Sequence, residues 1–204
     1  MGGFEPDFTI ELEAIRQGAR LVCGIDEAGR GPWAGPVVAA AVVLDPDRIP
    51  PGLNDSKKLT EAEREALFGP ILASARVGIG IGEVERIDRD NILAATMWAM
   101  AEAMKAIDGV ALALVDGNRA PALPCKVQTI IEGDARSLSI AAASIIAKVT
   151  PDRIMVGHDG IYPQYGFARH KGYGTAFHQE ALERHGPTPL HRKSFAPVAA
   201  LLNR

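Results

Sequence analysis

Two adjacent carboxylates stand where an apolar segment gives way to a glycine-rich turn. Asp26 and Glu27 follow this segment and precede the sequence Gly29-Arg30-Gly31. A strand that leads into such a turn holds its first acid rigidly, and the glycines let the backbone approach a ligand closely. Arg30 is a cation with little steric cover, which suits a phosphate group. A surface turn with solvated charges is the alternative, but the position after a buried strand favours a functional role.

Two further acids follow apolar segments later in the chain. Asp116 ends the stretch 111–115 and precedes a glycine, so an ordinary Asp-Gly turn explains it equally well by itself. Asp134 lies between the stretch 127–131 and a helical pattern, where capping of the helix N-terminus is the favoured interpretation. Strand ends in one sheet can nevertheless bring such carboxylates together, and clustered carboxylate oxygens suit Mg²⁺ or Mn²⁺.

A lysine pair lies just before a predicted helix. Ser56, Lys57 and Lys58 precede a Thr-Glu-Ala-Glu sequence at 60–63, which predicts a capping box. Because phosphate groups bind at helix N-termini, these three residues form a candidate phosphate-contact loop. For a lysine pair by itself, a solvated charged loop is the alternative.

The segment 164–194 carries an excess of positive charge and four of the five histidines. Its five basic residues against two acidic residues give a local net charge of +3 (five minus two). Aromatic residues interleave with these cations, as is typical of a nucleic-acid-binding face. The alternative, favoured for most of them, is that the phenylalanines are core and the histidines surface. The residues are Arg169, Lys171, Arg184, Arg192, Lys193, Glu180, Glu183, His170, His178, His185, His191, Tyr165, Phe167, Tyr173 and Phe177.

Strand-length and helix-length patterns alternate along the chain, and these elements must position the candidate residues. Strands mixed with helices in this way predict an α/β layer fold with a mixed sheet. Pro151 makes one helix ambiguous, because it either kinks that helix or follows Thr150 at the start of a new one. The predicted strands are 21–26, 37–44, 76–84, 111–115 and 127–131, and the predicted helices are 60–74, 91–107, 139–149, 175–185 and 194–203.

The composition is that of one ordinary globular domain. The 204 residues are 47% apolar and 23% charged, and the net charge of -3 argues weakly against a nucleic-acid partner. The two cysteines match no disulfide or zinc pattern and the N-terminus matches no signal peptide, which together indicate a reducing cytoplasm. The longest apolar run is too short to span a bilayer. Phosphate-loop, nucleophile-elbow and HExxH zinc motifs are absent from the sequence.

Taken together, these segments resemble the ribonuclease HII family, the bacterial type 2 ribonucleases H. The similar segments follow the family order and cover nearly the whole chain, and the DEAGRG sequence combined with the small-residue helix is highly specific. They are GIDEAGRGPWAGPVVAAAVVL, LNDSKKLT, ALVDGN, IIEGD, SIAAASIIAKV, YGFARHKGYGTAFHQEAL and GPTPLHRKSFAPV.

The resemblance implies a ribonuclease H-like α/β fold, with a central mixed sheet flanked by helices and a C-terminal helical extension. It implies one domain over 1–204, with a catalytic core at about 18–173 and a helical part at about 174–204. The implied activity is endonucleolytic hydrolysis of RNA in RNA–DNA hybrids and at single ribonucleotides embedded in duplex DNA. Ribonucleotide removal and RNA primer removal are its implied roles. Two divalent ions, Mg²⁺ or Mn²⁺, would act with bound substrate and leave 3′-hydroxyl and 5′-phosphate ends.

The resemblance also assigns residues position by position. The implied catalytic and metal-binding residues are Asp26, Glu27, Asp116 and Asp134, which places metal binding above helix capping for the last of them. The glycine-flanked arginine and a junction tyrosine read the ribose 2′-hydroxyl in the family. The implied substrate-binding residues are Gly29, Arg30, Gly31, Ser56, Lys57, Lys58, Lys148 and Tyr173.

The chain departs from the family pattern at two positions. Glu132 replaces the usual lysine or other non-acidic residue, and Pro151 replaces the usual arginine. Neither residue is an implied metal ligand, so we expect weaker attraction for phosphate at Glu132 rather than loss of activity.

The implied partner is an RNA–DNA hybrid or ribonucleotide-containing DNA, bound by a cytoplasmic monomer without a membrane. The ALLNR tail contains no clamp-binding motif. Two rival hypotheses are weighed against this one. A DNA-directed nuclease would leave the ribose-reading residues without a role, and a hybrid-binding module with a structural metal would gain nothing from so many acids beside phosphate.

Overall fold

Five strands form one mixed sheet in the order β3-β2-β1-β4-β5. The computed structural model of the protein describes residues 5–202. Strand β2 lies antiparallel to β1 and β3, whereas β1, β4 and β5 run parallel, which confirms the predicted mixed sheet. The strands are β1 (Val22–Ala28), β2 (Val37–Leu44), β3 (Ala75–Gly82), β4 (Leu112–Asp116) and β5 (Lys126–Ile130).

Helices cover both faces of this sheet. The five predicted helices are present as α2, α4, α5, α7 and α8, although residue 203 of the last prediction lies outside the described residues. The short helices α1, α3 and α6 were not predicted, because few turns leave little periodicity to detect. Within 5–202, no helix is long and apolar enough to cross a membrane. The helices are α1 (Thr9–Arg16), α2 (Glu61–Ser74), α3 (Val84–Asp90), α4 (Ile92–Met104), α5 (Leu138–Asp159), α6 (Phe167–His170), α7 (Ala176–His185) and α8 (Ala196–Leu202).

All eight residues of β2 are buried, because each face of the sheet carries a helix. Alternate residues of the strand point to opposite faces. Ala39 and Ala41 pack in the cluster that contains α4, and Ala40 and Val42 pack in the cluster that contains α5. The unbroken apolar run of the sequence is therefore a central strand that packs into a different hydrophobic cluster on each face of the sheet.

Helix α4 lies directly on β3, because that strand alternates glycine with larger residues. A Cβ atom at Gly78 would lie 1.9 Å from the Ala103 carbonyl oxygen, and one at Gly80 would lie 2.0 Å from the Ala99 carbonyl oxygen. Helix backbone cannot give way to such contacts, so only glycine permits this packing. The Gly-Ile alternation at 78–82, a weak strand signal by itself, is the surface on which a helix rests.

Helix α5 is a single helix that continues through Pro151, so the alternative of a new helix starting at Thr150 is wrong. Proline removes one helical hydrogen bond and normally breaks a helix interior. Here Pro151, Asp152 and Met155 are buried against the C-terminal part of the fold, and this tertiary packing holds the helix together. The ambiguity left by the sequence is therefore resolved in favour of one long helix.

Ser137, not Asp134, caps the N-terminus of α5. The Ser137 hydroxyl oxygen accepts a hydrogen bond from the Ile140 N–H at 3.2 Å. Glu11 of α1 is fully buried beside this end and accepts hydrogen bonds from the Ser137 hydroxyl at 2.6 Å and the Ser139 N–H at 2.9 Å. A carboxylate at this position also suits the positive end of the helix dipole. The capping interpretation of Asp134 is wrong, and its side chain remains available for another role.

The segment 164–194 contributes more to the core than its composition indicates. His178 and His191 are fully buried and His170 is 9% exposed, so the interpretation of the histidines as surface residues is wrong for these three. Arg192 is fully buried as well, which removes it from any basic face. Phe167 is core as expected, whereas Phe177 is 46% exposed.

Candidate active site

Three carboxylates meet at the carboxyl ends of two neighbouring parallel strands. Ile25 of β1 pairs with Val115 of β4, so Asp26 and Asp116 are the next residues in adjacent strands. Asp134 reaches the same place from a short 3₁₀ turn that connects β5 to α5. Each of the three acids places an oxygen within 4.8 Å of those of the other two. The structure thus brings together three of the four acids that the resemblance implies.

Backbone amides orient two of these carboxylates. The Glu27 N–H donates to Asp26 Oδ1 at 2.7 Å, and the Gly133 N–H donates to Asp116 Oδ1 at 2.7 Å. Gly133 is tightly enclosed, since a Cβ atom there would lie 2.7 Å from the Ile140 side chain. The turn at 133–135 therefore supplies one acid and also fixes the orientation of another.

The clustered charges repel one another in a partly dry environment. Burial and the neighbouring Asp116 and Glu27 carboxylates raise the pKa of Asp26 well above its usual value. Burial and the Asp134 carboxylate likewise raise the pKa of Asp116. A nearby cation would stabilise the ionised forms of these carboxylates.

Lys57 supplies one such cation. Its ammonium group donates to Asp134 Oδ2 at 2.8 Å. Partial burial lowers the pKa of Lys57, but the hydrogen bond and charge of Asp134 outweigh it, and the net shift is upward. Lys57 therefore contacts the acidic centre directly, and the phosphate-contact role of the lysine pair stays a prediction.

Glu27 lies at the edge of the acidic centre and is not one of the three converging carboxylates. Its carboxylate forms an ion pair with Arg30 at 3.2 Å. Burial raises the pKa of Glu27, while the hydrogen bond and charge of Arg30 lower it, and the net shift is upward. The first two acids of the DEAGRG sequence are thus positioned differently: both lie in β1, but Asp26 is inside the cluster and Glu27 pairs with Arg30 of the adjoining turn.

The donor set fits a divalent metal ion. Three carboxylates offer several hard oxygen ligands in one place, the ligand type that Mg²⁺ and Mn²⁺ prefer. Burial, together with the like charge of neighbouring carboxylates, raises the pKa of Asp26 and of Asp116, and a divalent cation would offset this cost of ionisation.

A cleft of about 270 Å³ opens beside this centre and collects most of the implied substrate-binding residues. The Gly29–Gly31 turn forms one wall and Tyr173 another; a Cβ atom at Gly31 would lie 3.6 Å from the tyrosine ring. Lys58 is not among the lining residues in the described chain. The lining includes Asp26, Glu27, Gly29, Arg30, Gly31, Ser56, Lys57, Arg64, Lys148 and Tyr173.

Lys148 lies where α5 passes the cleft. Its ammonium group forms an ion pair with Asp152 at 2.7 Å and lies 5.5 Å from the centre of the Tyr173 ring. Tyr173 is 42% exposed and lines the cleft. A phosphate or sugar entering here would meet a cation and an aromatic ring together.

Ser56 is buried, and its loop is held by a residue that the sequence did not reveal. The Ser56 N–H donates to the Ser144 hydroxyl of α5 at 3.2 Å. Arg64 of α2 donates from one guanidinium nitrogen to the carbonyls of Ser56 and Leu59, at 2.8 and 2.5 Å. No motif marks Arg64; its helical position within one turn of the capping box is the only signal that could have found it.

A second missed residue is Arg192, which the sequence assigns only to a basic segment. Its side chain is fully buried behind the Gly29–Gly31 turn and donates to backbone carbonyls there. Burial lowers the pKa of Arg192 to about 10. Sequence reasoning from charge places such a residue on the surface, because arginine is almost never fully buried.

Comparison with known proteins identifies the family. The family model described as Ribonuclease HII matches residues 23–198. The chain is 57% identical over 194 residues to the Ribonuclease HII of Azorhizobium caulinodans, covering 95% of this chain and 75% of that protein. It is 55% identical over 203 residues to the Ribonuclease HII of Magnetococcus marinus, covering 97% of this chain and 95% of that protein.

A solved structure agrees with this result. The ribonuclease H2 of Pyrococcus horikoshii OT3 is similar with a TM-score of 0.77 and 26% identity, covering 90% of this chain and 98% of that chain. The mixed sheet and flanking helices are thus a ribonuclease H-like fold. The chain therefore belongs to the ribonuclease HII family and is a hydrolase with ribonuclease H activity.

Proposed function

We propose that this enzyme hydrolyses the RNA strand of RNA–DNA hybrids and also cuts at single ribonucleotides embedded in duplex DNA. One observation supports the proposal above all. Asp26, one of the three converging carboxylates, lines the same cleft as the glycine-flanked Arg30 and the exposed Tyr173 ring. The acids would contact the phosphate, and the turn and the tyrosine ring would contact the sugar, so one bound nucleotide can touch both.

The proposed metal ligands are Asp26, Glu27, Asp116 and Asp134, with either Mg²⁺ or Mn²⁺. When bound, two divalent ions supply an activated water and stabilise the charge that develops on the phosphate and on the leaving 3′-oxygen. The clustered carboxylates hold and orient these cations. The products are a 3′-hydroxyl and a 5′-phosphate.

Cations of the chain itself complete the phosphate site. Lys57, Lys148 and Arg30 all line the cleft, and Arg30 forms an ion pair with Glu27. Lys58, next to Lys57 in the candidate phosphate-contact loop, is proposed to contact the backbone of the duplex. Such contacts position the substrate and carry no sequence information, which suits an enzyme that recognises sugar type.

Selectivity for RNA is proposed to come from the ribose 2′-hydroxyl. That group alone distinguishes the two sugars at a given position. Backbone groups of Gly29, Arg30 and Gly31 can hydrogen-bond to it at close range because the glycines carry no side chain. The Tyr173 ring packs against the same sugar and places its 2′-hydroxyl toward the turn.

We further propose that the enzyme is a cytoplasmic monomer. It would remove single ribonucleotides from DNA, and it would remove RNA primers during replication. The cleft and the acidic centre are formed by residues of one chain, so no second copy is needed to complete them. The division into a catalytic core at about 18–173 and a helical part at about 174–204 is part of this proposal.

Cleavage of three matched duplexes tests the proposal. One carries a single ribonucleotide, the second is an RNA–DNA hybrid, and the third is all DNA, each incubated with Mg²⁺, Mn²⁺ or EDTA. We expect cutting of the first two with metal, 5′-phosphate product ends, and no cutting with EDTA. Equal cutting of the all-DNA duplex would contradict ribose recognition and favour a DNA-directed nuclease. Binding without cutting under either metal would favour a hybrid-binding module.

A further inference from the structure

We propose that Arg192 is a positioning residue that sets the shape of the ribose-reading turn and thereby determines selectivity for RNA. This inference rests on the proposed function of the Gly29–Gly31 turn. Arg192 is fully buried and does not line the cleft, so it acts through the backbone of that turn rather than on the substrate.

The guanidinium group of Arg192 joins the two ends of one loop. Its Nη1 donates to the Arg30 carbonyl at 3.1 Å and its Nη2 to the Gly29 carbonyl at 2.5 Å. Its Nε donates to the Gly35 carbonyl at 2.9 Å, and Nη2 also donates to the Pro36 carbonyl at 3.0 Å. Four acceptors from residues 29–36 therefore surround one planar donor group.

The direction of these carbonyls determines where the neighbouring amides point. In a trans peptide unit the C=O group and the N–H group of the next residue point in opposite directions, and no cis peptide bond is present in the described chain. The carbonyls of Gly29 and Arg30 turn inward to Arg192. The N–H groups of Arg30 and Gly31 consequently turn outward, toward the cleft that these residues line.

The outward amides form a pair of adjacent donors. Within residues 5–202, neither N–H group donates to another backbone carbonyl. A ribose 2′-hydroxyl offers an acceptor oxygen of the right kind, and deoxyribose offers none. Arg192 thus fixes the direction of the Arg30 and Gly31 N–H groups, which find a 2′-hydroxyl acceptor only when the bound sugar is ribose.

The main chain of Arg192 extends the same control to the tyrosine wall. Its N–H donates to the Trp33 carbonyl at 2.8 Å, and the Trp33 N–H donates to the Gly172 carbonyl at 2.8 Å. Gly172 immediately precedes Tyr173, so the turn and the tyrosine ring are set relative to each other through two hydrogen bonds. A single buried residue therefore aligns both parts of the proposed sugar site.

The carboxylates are positioned independently. Asp26, Asp116 and Asp134 lie in β1, in β4 and in the turn at 133–135, whereas the side-chain hydrogen bonds of Arg192 go to backbone carbonyls of residues 29–36. Loss of Arg192 should therefore reduce selectivity for the sugar more than it reduces phosphate and metal binding, to which Arg30 and Glu27 contribute only in part. A residue that only stabilises the fold would not separate these two properties.

The test compares dissociation constants for two duplexes in Ca²⁺, one all DNA and one with a single ribonucleotide. The dissociation constant of the all-DNA duplex divided by that of the ribonucleotide duplex measures ribose recognition. For Arg192→Met we expect this ratio to fall about tenfold, the equivalent of roughly one hydrogen bond, and affinity for the all-DNA duplex to change by less than that. Arg192→Lys retains the charge and part of the bonding, so it should restore an intermediate ratio.

Val198→Ala provides a matched control. Val198 is fully buried in the same C-terminal core and does not contact the turn. This variant should lower the thermal midpoint and keep the wild-type ratio. An Arg192→Met ratio within twofold of wild type, or equal losses in Arg192→Met and Val198→Ala, would overturn the inference.

If Arg192→Met is unfolded at the assay temperature, Arg192→Lys decides alone, and a wild-type ratio in that variant would overturn the inference. A ratio of one in the unsubstituted enzyme would instead overturn ribose recognition itself. That result is visible before any substitution is made, so the two failures are distinguishable.

Discussion

At the level of single residues, the acidic centre concentrates charge that the fold neutralises only in part. Asp26 is 5% exposed and Asp134 is 3% exposed, and the ion pair between Asp134 and Lys57 offsets one charge of the three-carboxylate group. Burial and like charge raise the pKa values of Asp26 and Asp116, so their ionised forms are less stable in the folded enzyme than in the unfolded chain. Function, rather than stability, accounts for this arrangement.

Asp116→Asn is expected to separate these two properties. The cleavage rate should fall by more than about 100-fold, because Asp116 is a proposed metal ligand itself. Loss of a residue that only hydrogen-bonds to a metal ligand typically costs up to about 100-fold. The free energy of unfolding at pH 7 should not fall, because asparagine keeps an acceptor for the Gly133 N–H and removes a repelled charge. Single-turnover cleavage of the ribonucleotide duplex and urea unfolding measure the two effects. Retained turnover would remove Asp116 from the active site.

The sequence predicts the acids of the centre better than the residues that support them. Asp26 and Asp116 stand out because each directly follows an apolar run, and parallel pairing of β1 with β4 brings them together. Arg64 and Arg192 act on backbone carbonyls outside their own elements, and no local pattern encodes such contacts.

Glu132, a departure from the family pattern, is exposed and lies at φ 52°, a left-handed conformation that favours glycine or asparagine.

At the level of elements, backbone contacts between sheet and helices decide where the acids lie. Gly24 of β1 lies under the N-terminal turn of α5, where a Cβ atom would be 2.1 Å from the Ser139 carbonyl carbon. Because β1 carries Asp26 and α5 follows directly after the turn with Asp134, this contact sets the distance between two of the acids. Close packing of the glycine therefore contributes to the geometry of the site.

Gly24→Ala should lower the free energy of unfolding by about 3 kcal/mol or more, because neither backbone can move aside. Cleavage should fall as well, even when the variant is assayed below its unfolding temperature. Gly69→Ala is the matched control, since Gly69 lies in α2 and a methyl group added there would meet no atom within 4 Å beyond its own helix backbone. It should raise stability by about 0.5–1 kcal/mol. Similar stability in both variants would contradict the packing argument.

At the level of the whole molecule, a buried histidine chain joins the C-terminal helices to the cleft. His178 Nδ1 donates to the Tyr173 carbonyl at 2.9 Å, so its Nε2 is left to accept from His191 Nε2 at 3.0 Å. His191 Nδ1 in turn accepts from the Thr188 N–H at 2.9 Å. These bonds are consistent only with neutral rings, since a second proton would place two N–H groups against each other.

Lowering the pH should therefore reduce the free energy of unfolding through these two histidines. Burial lowers the pKa of His178 and of His191 from 6.5 to about 4. Between these values the unfolded chain binds more protons, so the stabilisation is complete above pH 6.5 and is lost as the pH falls toward 4. The loss of unfolding free energy caused by His178→Asn should accordingly shrink from pH 7 to pH 4.5.

Urea unfolding of both proteins across this pH range measures the effect. His185→Asn serves as the control, because His185 is exposed, and the wild-type pH profile should be retained. A penalty for His178→Asn that stays constant with pH would contradict the neutral-ring network.

Net charge alone led to the wrong expectation for the whole molecule. The value of -3 includes four acids assigned to metal binding, and the basic segment 164–194 includes a buried arginine. The five strands and the mixed sheet, by contrast, were predicted from apolar patterns, whereas the strand order is known only from the structure. Periodicity records which side faces a core, but charge counts do not record where a charge lies.

The contact between Glu11 and Ser139 spans 128 positions of the chain. At ribosomal rates of about 5–20 residues per second, α1 and β1 wait roughly 6–25 s before the helix that covers them has been made. During that interval α5 is not yet available to cover one face of β2, so the eight apolar residues of this strand-prone segment remain partly exposed. Biosynthesis of this enzyme is therefore exposed to aggregation through its N-terminal half, and chaperones that bind extended apolar segments would protect it there.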